Sequence, residues 1–205
     1  MEILSKLFGS VARVKIMRLF LSNEDWAFDN EEIAKRTKVP TTGVRKEVSL
    51  LEKVGFIKKR VFFKEIEKKK RGEIYVEKKK TNGWILDVNF SLLAPMKNLL
   101  IKSSPLETKE IVDRLKNGGT LKLLITSGIF IQDSDSRVDL LIVGDNLNVN
   151  YLDRAIKVLE SEIGQELRYV VLDTPDFNYR LGIYDKLIRD ILDYSHKKLI
   201  NKLDF

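Results

Sequence analysis

The chain has 205 residues, 43% of them hydrophobic, which allows one large domain or two small domains with real cores. It has no cysteine and one histidine, His196; this excludes disulfides and cysteine-ligated zinc and leaves little material for histidine-based catalysis or metal binding. The sequence has no apolar run of the roughly 18 residues that cross a bilayer, and its N-terminus lacks a signal-peptide pattern. These features predict a cytoplasmic protein that binds no membrane, metal or cofactor.

The net charge of +7 is unevenly distributed along the chain. Residues 1–82 contain 21 basic and 12 acidic side chains, a local charge of +9, whereas residues 83–205 contain 16 basic and 18 acidic side chains, a charge of −2. A basic excess confined to one half is expected of a segment that neutralises phosphates. The first half is therefore the candidate for nucleic-acid binding.

The chain begins with a broad apolar face that predicts one helix over Leu4–Leu21, with Gly9-Ser10 as a point of close packing or a small kink. A second helical pattern starts at Asn30, where Asp29 or Asn30 is placed to cap it and two glutamates occupy the favourable first turn. Val39-Pro40 ends this helix, because the residue before proline is pushed out of the helical region.

A third helix is predicted from about Thr41 to Val54, and its residues divide into two faces. The apolar face consists of Val44, Val48, Leu51 and Val54. The polar face consists of Thr42, Arg45, Lys46, Ser49 and Lys53. Two short helices with a tight break between them, the second with a basic face, are typical of a helix-turn-helix that places its second helix in a DNA major groove.

A lysine-rich, strand-like region follows this helix, with 11 basic and 4 acidic residues between Lys58 and Lys80. Its pattern predicts a strand over Phe56–Glu67, a hairpin tip near Lys68–Gly72, and returning strands over Glu73–Glu77 and Trp84–Val88. A further turn is predicted at Thr81-Asn82-Gly83. Such a hairpin is either a solvated surface or a wing that lies along phosphates or in a minor groove.

The stretch EEIAKRTKVPTTGVRKEVSLLEKVGFIKKR resembles the winged helix-turn-helix regulators of bacteria and archaea, with Gly55 ending the recognition helix and Phe56-Ile57 starting the wing. The resemblance implies double-stranded DNA as the partner, and a homodimer, because helix-turn-helix proteins usually read paired half-sites. Arg45 is the best candidate for reading a guanine. The predicted DNA-binding residues are Thr41, Thr42, Arg45, Lys46, Ser49, Lys58, Lys59, Arg60, Lys68, Lys69, Lys70 and Arg71.

The second half of the chain predicts helices first and then an α/β pattern. Ser91–Lys102 and Leu106–Lys116 have helical spacing and could bridge two domains or form a dimer seam. The remaining pattern predicts a small mixed sheet with helices packed on it. Its predicted elements are an apolar run over Leu121–Ile131, strands over Val138–Gly144 and Glu166–Asp173, a helix over Val149–Ile163, and short helices around Asp176–Leu181 and Tyr184–Leu192.

Two motifs in this half, Ile125-Thr126-Ser127-Gly128 and Ser136-Arg137-Val138-Asp139-Leu140-Leu141-Ile142-Val143, resemble the minimal, polymerase-β-like nucleotidyltransferases. The resemblance implies a Gly-Ser turn for nucleotide phosphates and two aspartates, one residue apart on a strand, that hold two magnesium ions. Here Arg137 replaces the first aspartate, and Ser127-Gly128 has the reversed order. The expected third carboxylate is also missing, since Arg168 and Tyr169 occupy its positions.

These departures predict a domain without catalytic activity, in which Arg137 either pairs with Asp139 or contacts a phosphate. Ser127, Gly128, Arg137 and Asp139 are left as a possible vestigial nucleotide site for a phosphorylated effector. A calcium loop built from Asp133, Asp135 and Asp139 and a plain scaffold for dimerisation are the alternatives.

The sequence thus predicts an α+β or α/β chain of two domains. Residues 1–90 form a winged helix-turn-helix, residues 91–118 a helical connector, and residues 119–205 a nucleotidyltransferase-like domain. The predicted function is transcriptional regulation by sequence-specific DNA binding, with the second domain used for ligand sensing or dimerisation. The alternatives are an active nucleotidyl- or adenylyltransferase that modifies RNA or a toxin partner, and an RNA-binding or interaction module.

Overall fold

The computed structural model of the chain describes residues 2–70, 73–102, 106–133 and 135–203. The protein is α+β, and its described strands form two sheets. It divides into two compact units: unit 1 comprises Met1–Ser103 with Ser161–Gln165, and unit 2 comprises Ser104–Glu160 with Glu166–Phe205. Within the described ranges, no helix combines the length and the apolar character needed to cross a bilayer.

Unit 1 contains short helices followed by a long antiparallel hairpin. Its elements are α1 (Glu2–Phe8), α2 (Val11–Ser22), α3 (Asn30–Thr37), α4 (Thr41–Lys53), β1 (Ile57–Lys70), β2 (Glu73–Leu86) and α5 (Leu93–Lys97), which continues as a π-helical turn over Asn98–Lys102.

The single helix predicted over Leu4–Leu21 is wrong, because the chain forms α1 and α2 with a break between them. Gly9 adopts a left-handed conformation (φ +72°) that ends α1, and a Cβ there would touch nothing, so close packing is not its role. The Ser10 hydroxyl then accepts a hydrogen bond from the Arg13 amide (3.1 Å) and caps α2. Leu7 and Val11, beside the break, are exposed.

The core of unit 1 is built from residues of α1 to α4 and from the segments that flank them. Phe20 and Phe28 meet edge to face, with ring centroids 5.6 Å apart. Val44, Val48 and Leu51 of α4 are fully buried in the same cluster, as their spacing predicts. The fourth member of the predicted stripe is wrong: Val54 is 56% exposed, because α4 ends at Lys53 and the chain turns away.

Gly55 makes that turn with φ +78°, the left-handed conformation that the sequence predicted. The Phe56 amide donates to the Leu51 carbonyl and the Gly55 amide to the Glu52 carbonyl, both at 2.9 Å, which satisfies the end of α4. Ile57 starts β1 two residues later. The geometry of this cap therefore sets the direction in which the hairpin leaves the helix.

The turn predicted at Thr81-Asn82-Gly83 is also wrong, because β2 runs straight through these residues, with Asn82 opposite Val61 and Gly83 opposite Arg60. Gly83 is needed for a close approach instead. A Cβ there would collide with the Phe28 carbonyl oxygen and lie 2.7 Å from the Phe62 ring. Phe28 and Trp84 exchange two backbone hydrogen bonds of 2.9 Å, so the Phe28 segment pairs with the base of the hairpin.

Unit 2 is built around a mixed sheet with strand order β5-β4-β3-β6, in which the β4–β5 pair is parallel and the other pairs are antiparallel. Its elements are α6 (Thr108–Leu115), a 3₁₀ turn (Lys116–Gly118), β3 (Thr120–Thr126), a 3₁₀ turn (Gly128–Phe130), β4 (Leu140–Asp145), α7 (Val149–Ile163), β5 (Tyr169–Asp173), α8 (Thr174–Gly182), α9 (Lys186–Asp193) and β6 (Lys197–Asn201).

The two central strands of this sheet are buried on both faces. Leu123 of β3 and Leu141 of β4 pack with Phe177 and Ile188, whereas Leu124 and Ile142, which alternate with them, are equally buried. The predicted helix over Val149–Ile163 is confirmed, and the two short helices are present as α8 and α9. Edge strand β6 was not predicted, because Leu199 and Ile200 are too short an apolar pair to signal a strand.

We expect Gly83→Ala to destabilise unit 1 by about 1–3 kcal/mol, because the added methyl group meets backbone that cannot move without breaking the Phe28–Trp84 pairing. Urea unfolding followed by tryptophan fluorescence measures this, since Trp26 and Trp84 both lie in unit 1. Asn82→Ala, at the exposed neighbouring position, is the control. Equal stability of the two variants would contradict the close approach.

Candidate nucleic-acid interface

Helices α3 and α4 form a helical pair with a three-residue connection. Asp29 starts α3, and its Oδ1 accepts a hydrogen bond from the Glu32 amide (2.7 Å). The helix ends at Thr37, and Lys38 takes a left-handed conformation (φ +56°) that reverses the chain. Pro40 then immediately precedes α4. The cap and the break therefore lie where the sequence predicted them.

The inner face of α4 includes one charged residue that the apolar pattern did not reveal. Glu47 is 5% exposed, and its carboxylate pairs with Arg13 Nε of α2 at 2.8 Å. Arg13 also donates to the Phe8 carbonyl oxygen at 2.6 Å. A buried carboxylate requires such a partner. This ion pair therefore fixes α4 against α2 in addition to the apolar packing.

The outer face of α4 is exposed and cationic. Arg45 and Lys46 make no ion pair or hydrogen bond within the described chain, so both charges are available to a ligand. No side chain caps the N-terminus of α4, and its first turn has no acidic residue. The predicted residues exposed on this helix are Thr41, Thr42, Arg45, Lys46 and Ser49.

The base of the hairpin brings further basic residues close to the end of α4. Lys59 lies 3.1 Å from the Glu52 carboxylate and 5.8 Å from the centroid of the Trp84 ring, and Lys58 pairs with Asp87 at 3.0 Å. Arg60 is exposed and has no partner among the described residues. Exposed ion pairs are worth at most about 1 kcal/mol, so these lysines can exchange a carboxylate for a phosphate.

The far end of the hairpin is only partly described. Lys68 is exposed and forms an ion pair with Glu77 across the strands. The side chains of Lys69 and Lys70, and the whole of Arg71, lie outside the described residues. The structure therefore does not test the prediction that these three residues contact DNA.

Lys64 links the hairpin to α3, a role that sequence reasoning missed. Its Nζ lies 2.8 Å from Asp29 Oδ2 and 3.9 Å from a Glu32 carboxylate oxygen. Trp84 Nε1 also donates to Asn30 Oδ1 at 3.2 Å. Nothing in the local sequence separates Lys64 from the other hairpin lysines, because its partner lies 35 residues earlier.

The Asp29–Lys64 pair shifts the pKa of both groups. Burial acts to raise the pKa of Asp29, but the hydrogen bonds from Lys64 and from the Glu32 amide outweigh it and hold this pKa below the ordinary 3.8. The hydrogen bond to Asp29 raises the pKa of Lys64 above the ordinary 10.5, against a smaller effect of burial. Both groups are therefore charged throughout the neutral range.

In unit 2, Asp139 is the centre of the motif that resembles the nucleotidyltransferases. It is 1% exposed, and its Oδ1 accepts hydrogen bonds from the Ile129 amide (3.1 Å) and Arg168 Nη2 (3.0 Å). Its Oδ2 accepts from the Arg168 amide (2.9 Å) and Arg168 Nε (3.0 Å). The hydrogen bond to Asp139 raises the pKa of Arg168. Four donors thus surround the carboxylate.

Ser127 and Gly128 shape the pocket in which Asp139 lies. Ser127 is buried, donates its hydroxyl hydrogen bond to the Val138 carbonyl and accepts one from the Ser136 hydroxyl (3.1 Å). Gly128 has φ +55°, and a Cβ there would collide with Asp139 Oδ1. The Ser-Gly order is thus explained by the position of the Asp139 carboxylate.

Arg137, the fourth predicted residue of this group, does not pair with Asp139, and that expectation is wrong. Its Nε lies 3.0 Å from Asp190 Oδ2 of α9. The contact is an ion pair rather than an aligned hydrogen bond, since that oxygen accepts no hydrogen bond within the described chain. Arg168, rather than Arg137, holds the Asp139 carboxylate. The sequence had shown Arg168 only at a position where the resemblance implies the third carboxylate, and it had not predicted the contact of Arg168 with Asp139.

The proposed calcium loop is not formed. Asp133 Oδ1 accepts a hydrogen bond from the Asp135 amide (3.0 Å), while the Asp139 carboxylate is directed to Arg168. Across the described residues, no group of three or more acidic or histidine side chains is arranged to hold a metal ion.

Comparisons of the chain with protein-family models, with curated proteins and with solved structures find no match. The resemblances to winged helix-turn-helix regulators and to nucleotidyltransferases therefore remain predictions.

We expect Lys64→Met to destabilise unit 1 by on the order of 1 kcal/mol at neutral pH. The lowered pKa of Asp29 stabilises the folded state above pH 3.8, and this contribution is lost as the pH falls through the folded value. The raised pKa of Lys64 stabilises it below pH 10.5, and this contribution is lost as the pH rises through the folded value. The difference from wild type should therefore shrink at both extremes.

Urea unfolding followed by tryptophan fluorescence across this pH range measures the effect. Lys79→Met is the matched control, because Lys79 lies directly opposite Lys64 and its side chain makes no ion pair or hydrogen bond within the described chain. The ion-pair interpretation fails if Lys64→Met and Lys79→Met show the same pH dependence.

We expect Asp139→Ala to destabilise unit 2 by roughly 2–4 kcal/mol, because it leaves two backbone amides and the Arg168 guanidinium without their acceptor. Thermal unfolding followed by circular dichroism measures this. Asp193→Ala, which removes an exposed carboxylate 3.6 Å from Arg189, should change stability by less than about 0.5 kcal/mol. Similar effects of the two substitutions would show that Asp139 has no such structural role.

Proposed function

We propose that this protein is a sequence-specific DNA-binding transcriptional regulator of the winged helix-turn-helix type that acts in the cytoplasm. The observation that carries the proposal is the outer face of α4. The side chains of Arg45 and Lys46 are exposed and unpaired within the described chain, on the part of the helix surface outside the buried stripe of Val44, Val48 and Leu51. A helix held by one face and cationic on the other is suited to a DNA major groove.

The dimensions of α4 agree with this role. Its 13 residues form a rod about 20 Å long, and the major groove is about 12 Å wide and admits a single helix. Arg45 lies in the second turn, from which a guanidinium can donate two hydrogen bonds to a guanine edge. The uncapped amides of the first turn are suited to a backbone phosphate.

The hairpin supports the same proposal as the wing. Three consecutive basic residues lie near the start of β1, shortly after the end of α4: Lys58, Lys59 and Arg60. The Asp29–Lys64 ion pair holds the hairpin against α3. Basic side chains on a ribbon beside the recognition helix would contact the phosphates that flank the groove. The proposed DNA contacts thus come from two elements of unit 1.

Unit 2 is proposed to be a nucleotidyltransferase-like domain without catalytic activity. Transfer of a nucleotidyl group with two magnesium ions needs carboxylates that are free to bind metal. Asp139 is enclosed by four donors from Ile129 and Arg168, and Arg137 occupies the position of the other aspartate. We propose dimerisation or binding of a phosphorylated effector as the role of this unit, with DNA read by a homodimer at paired half-sites.

The test starts with selection of preferred sequences from a random duplex library by the full chain. The combined change Arg45→Ala and Lys46→Ala should then weaken binding to the selected duplex at least tenfold, since one lost base contact costs about 1–3 kcal/mol. The slope of log affinity against log salt should fall by about 0.9 for each lost phosphate contact. Fluorescence anisotropy over a salt series gives both quantities.

The matched control is Lys186→Ala with Arg189→Ala on α9, which removes the same charge from exposed positions of unit 2. It should leave affinity nearly unchanged. Equal losses in both double variants would mean that α4 is not the recognition helix. Tighter binding to structured RNA of the same length would favour the RNA-binding alternative.

A further inference from the structure

The two faces of the hairpin differ in what covers them. Residues paired across an antiparallel ribbon share a face, so Phe63 lies beside Lys80, and Val61 beside Asn82. The opposite face contains Lys64, whose Asp29 partner ties it to the helices, and the half-buried Phe62. We name the uncovered side the outer face, and its central residues are Val61, Phe63, Glu65, Lys78, Lys80 and Asn82.

Phe63 is the most exposed large apolar side chain of this hairpin among the described residues, with 69% of its surface accessible, and Val61 beside it is 51% exposed. Exposing a phenylalanine forgoes about 1.5–3 kcal/mol of burial free energy. A two-stranded ribbon gains no stability from that exposure. The position of Phe63 therefore indicates a partner that covers it.

The charges around Phe63 indicate what that partner is. Lys80, directly opposite, makes no ion pair or hydrogen bond within the described chain. Lys78 lies in the next pair of the same face, opposite Glu65, and its Nζ is 3.8 Å from the Glu65 carboxylate. The side chains of Lys78 and Glu65 are both more than 60% exposed. Between Lys58 and Lys80 the hairpin has 11 basic and 4 acidic residues, so the hairpin of a second copy would be repelled. A polyanion is the complementary partner.

We propose that Phe63 is a wedge that inserts between base pairs from the DNA minor groove and kinks the duplex, with Lys78 and Lys80 on the flanking phosphates. Apolar side chains on basic minor-groove elements act in this way, opening the groove and bending DNA by about 20–90°. The inference rests on the proposed function and adds to it, because it makes the hairpin a bending arm as well as a phosphate contact.

The length of the hairpin allows this contact. Phe63 lies six residues beyond Ile57, the first residue of β1, which corresponds to about 20 Å along an extended strand. That distance exceeds the width of one groove, roughly 12 Å. With α4 in a major groove, the segment around Phe63 reaches the neighbouring minor groove. Lys64, the neighbour of Phe63, is paired with Asp29 at the start of α3, so the wedge is presented in a defined position.

The experiment uses the full chain and a mixed-sequence duplex of about four helical turns with a central TA step, which kinks easily, and a fluorophore at each end. At low salt, wild type should increase energy transfer between the ends as the duplex bends. Phe63→Ala should weaken binding roughly five- to thirty-fold, the usual effect of losing an aromatic–base stack, and should abolish the increase at saturation. Phe63→Leu keeps an apolar wedge and should retain most of it.

Tyr179→Ala is the control, because Tyr179 is an aromatic residue of unit 2 with a similar exposure of 66%; it should bind and bend DNA as wild type does. If wild type binds no duplex, the proposed function fails and the wedge with it. If wild type and Phe63→Ala bind DNA and bend it equally, only the wedge is overturned, and the outer face serves another partner. Circular dichroism of each variant confirms that it is folded.

Discussion

The carboxylate of Asp29 is the contact on which the organisation of unit 1 depends. One oxygen caps α3 and the other binds Lys64, so a single side chain joins the helical pair to the hairpin. The backbone pairing of Phe28 with Trp84 and the Trp84–Asn30 hydrogen bond lie on either side of it. Because these contacts share three consecutive residues, the start of α3 and the base of the hairpin form one rigid corner. The hairpin is therefore held against the start of α3.

Unit 2 uses a buried aspartate in a different way. Asp139 accepts hydrogen bonds from two backbone amides and from a guanidinium that is itself half exposed. In an active member of the family that the sequence resembles, the equivalent carboxylate would bind a metal ion. Here the positive charge is supplied by Arg168, and Gly128 leaves room for the carboxylate. The same local motif thus joins the turn after β3 to the residues that precede β4 and β5.

Three predictions from the sequence are wrong for physical reasons, and they concern Gly9-Ser10, Gly83 and Arg137. The break at Gly9-Ser10 looked like a kink because the apolar spacing continues across it. Leu7 and Val11 are exposed, however, so their side chains add no burial free energy that would stabilise a continuous helix. Gly83 looked like a turn residue, but it is a glycine because the Phe28 backbone passes over it. Arg137 looked like a partner of Asp139 or of a phosphate, but its ion-pair partner is Asp190 of α9. For Gly83 and Arg137 the deciding neighbour is distant in the sequence, whereas the break at Gly9-Ser10 is made locally by the cap that Ser10 provides to the Arg13 amide.

The sequence by itself determined the local features of the candidate site: the Asp29 cap, the break before Pro40, the buried stripe of α4 and the left-handed turn at Gly55. Each depends on residues within about one or two helical turns, where propensity and hydrophobic spacing are sufficient. The tertiary structure alone decided which charges are paired. Glu47 is paired with Arg13, Lys64 with Asp29 and Asp139 with Arg168, whereas Arg45 and Lys46 are left to solvent in the described chain. Charge pairing depends on distances between segments that periodicity does not encode.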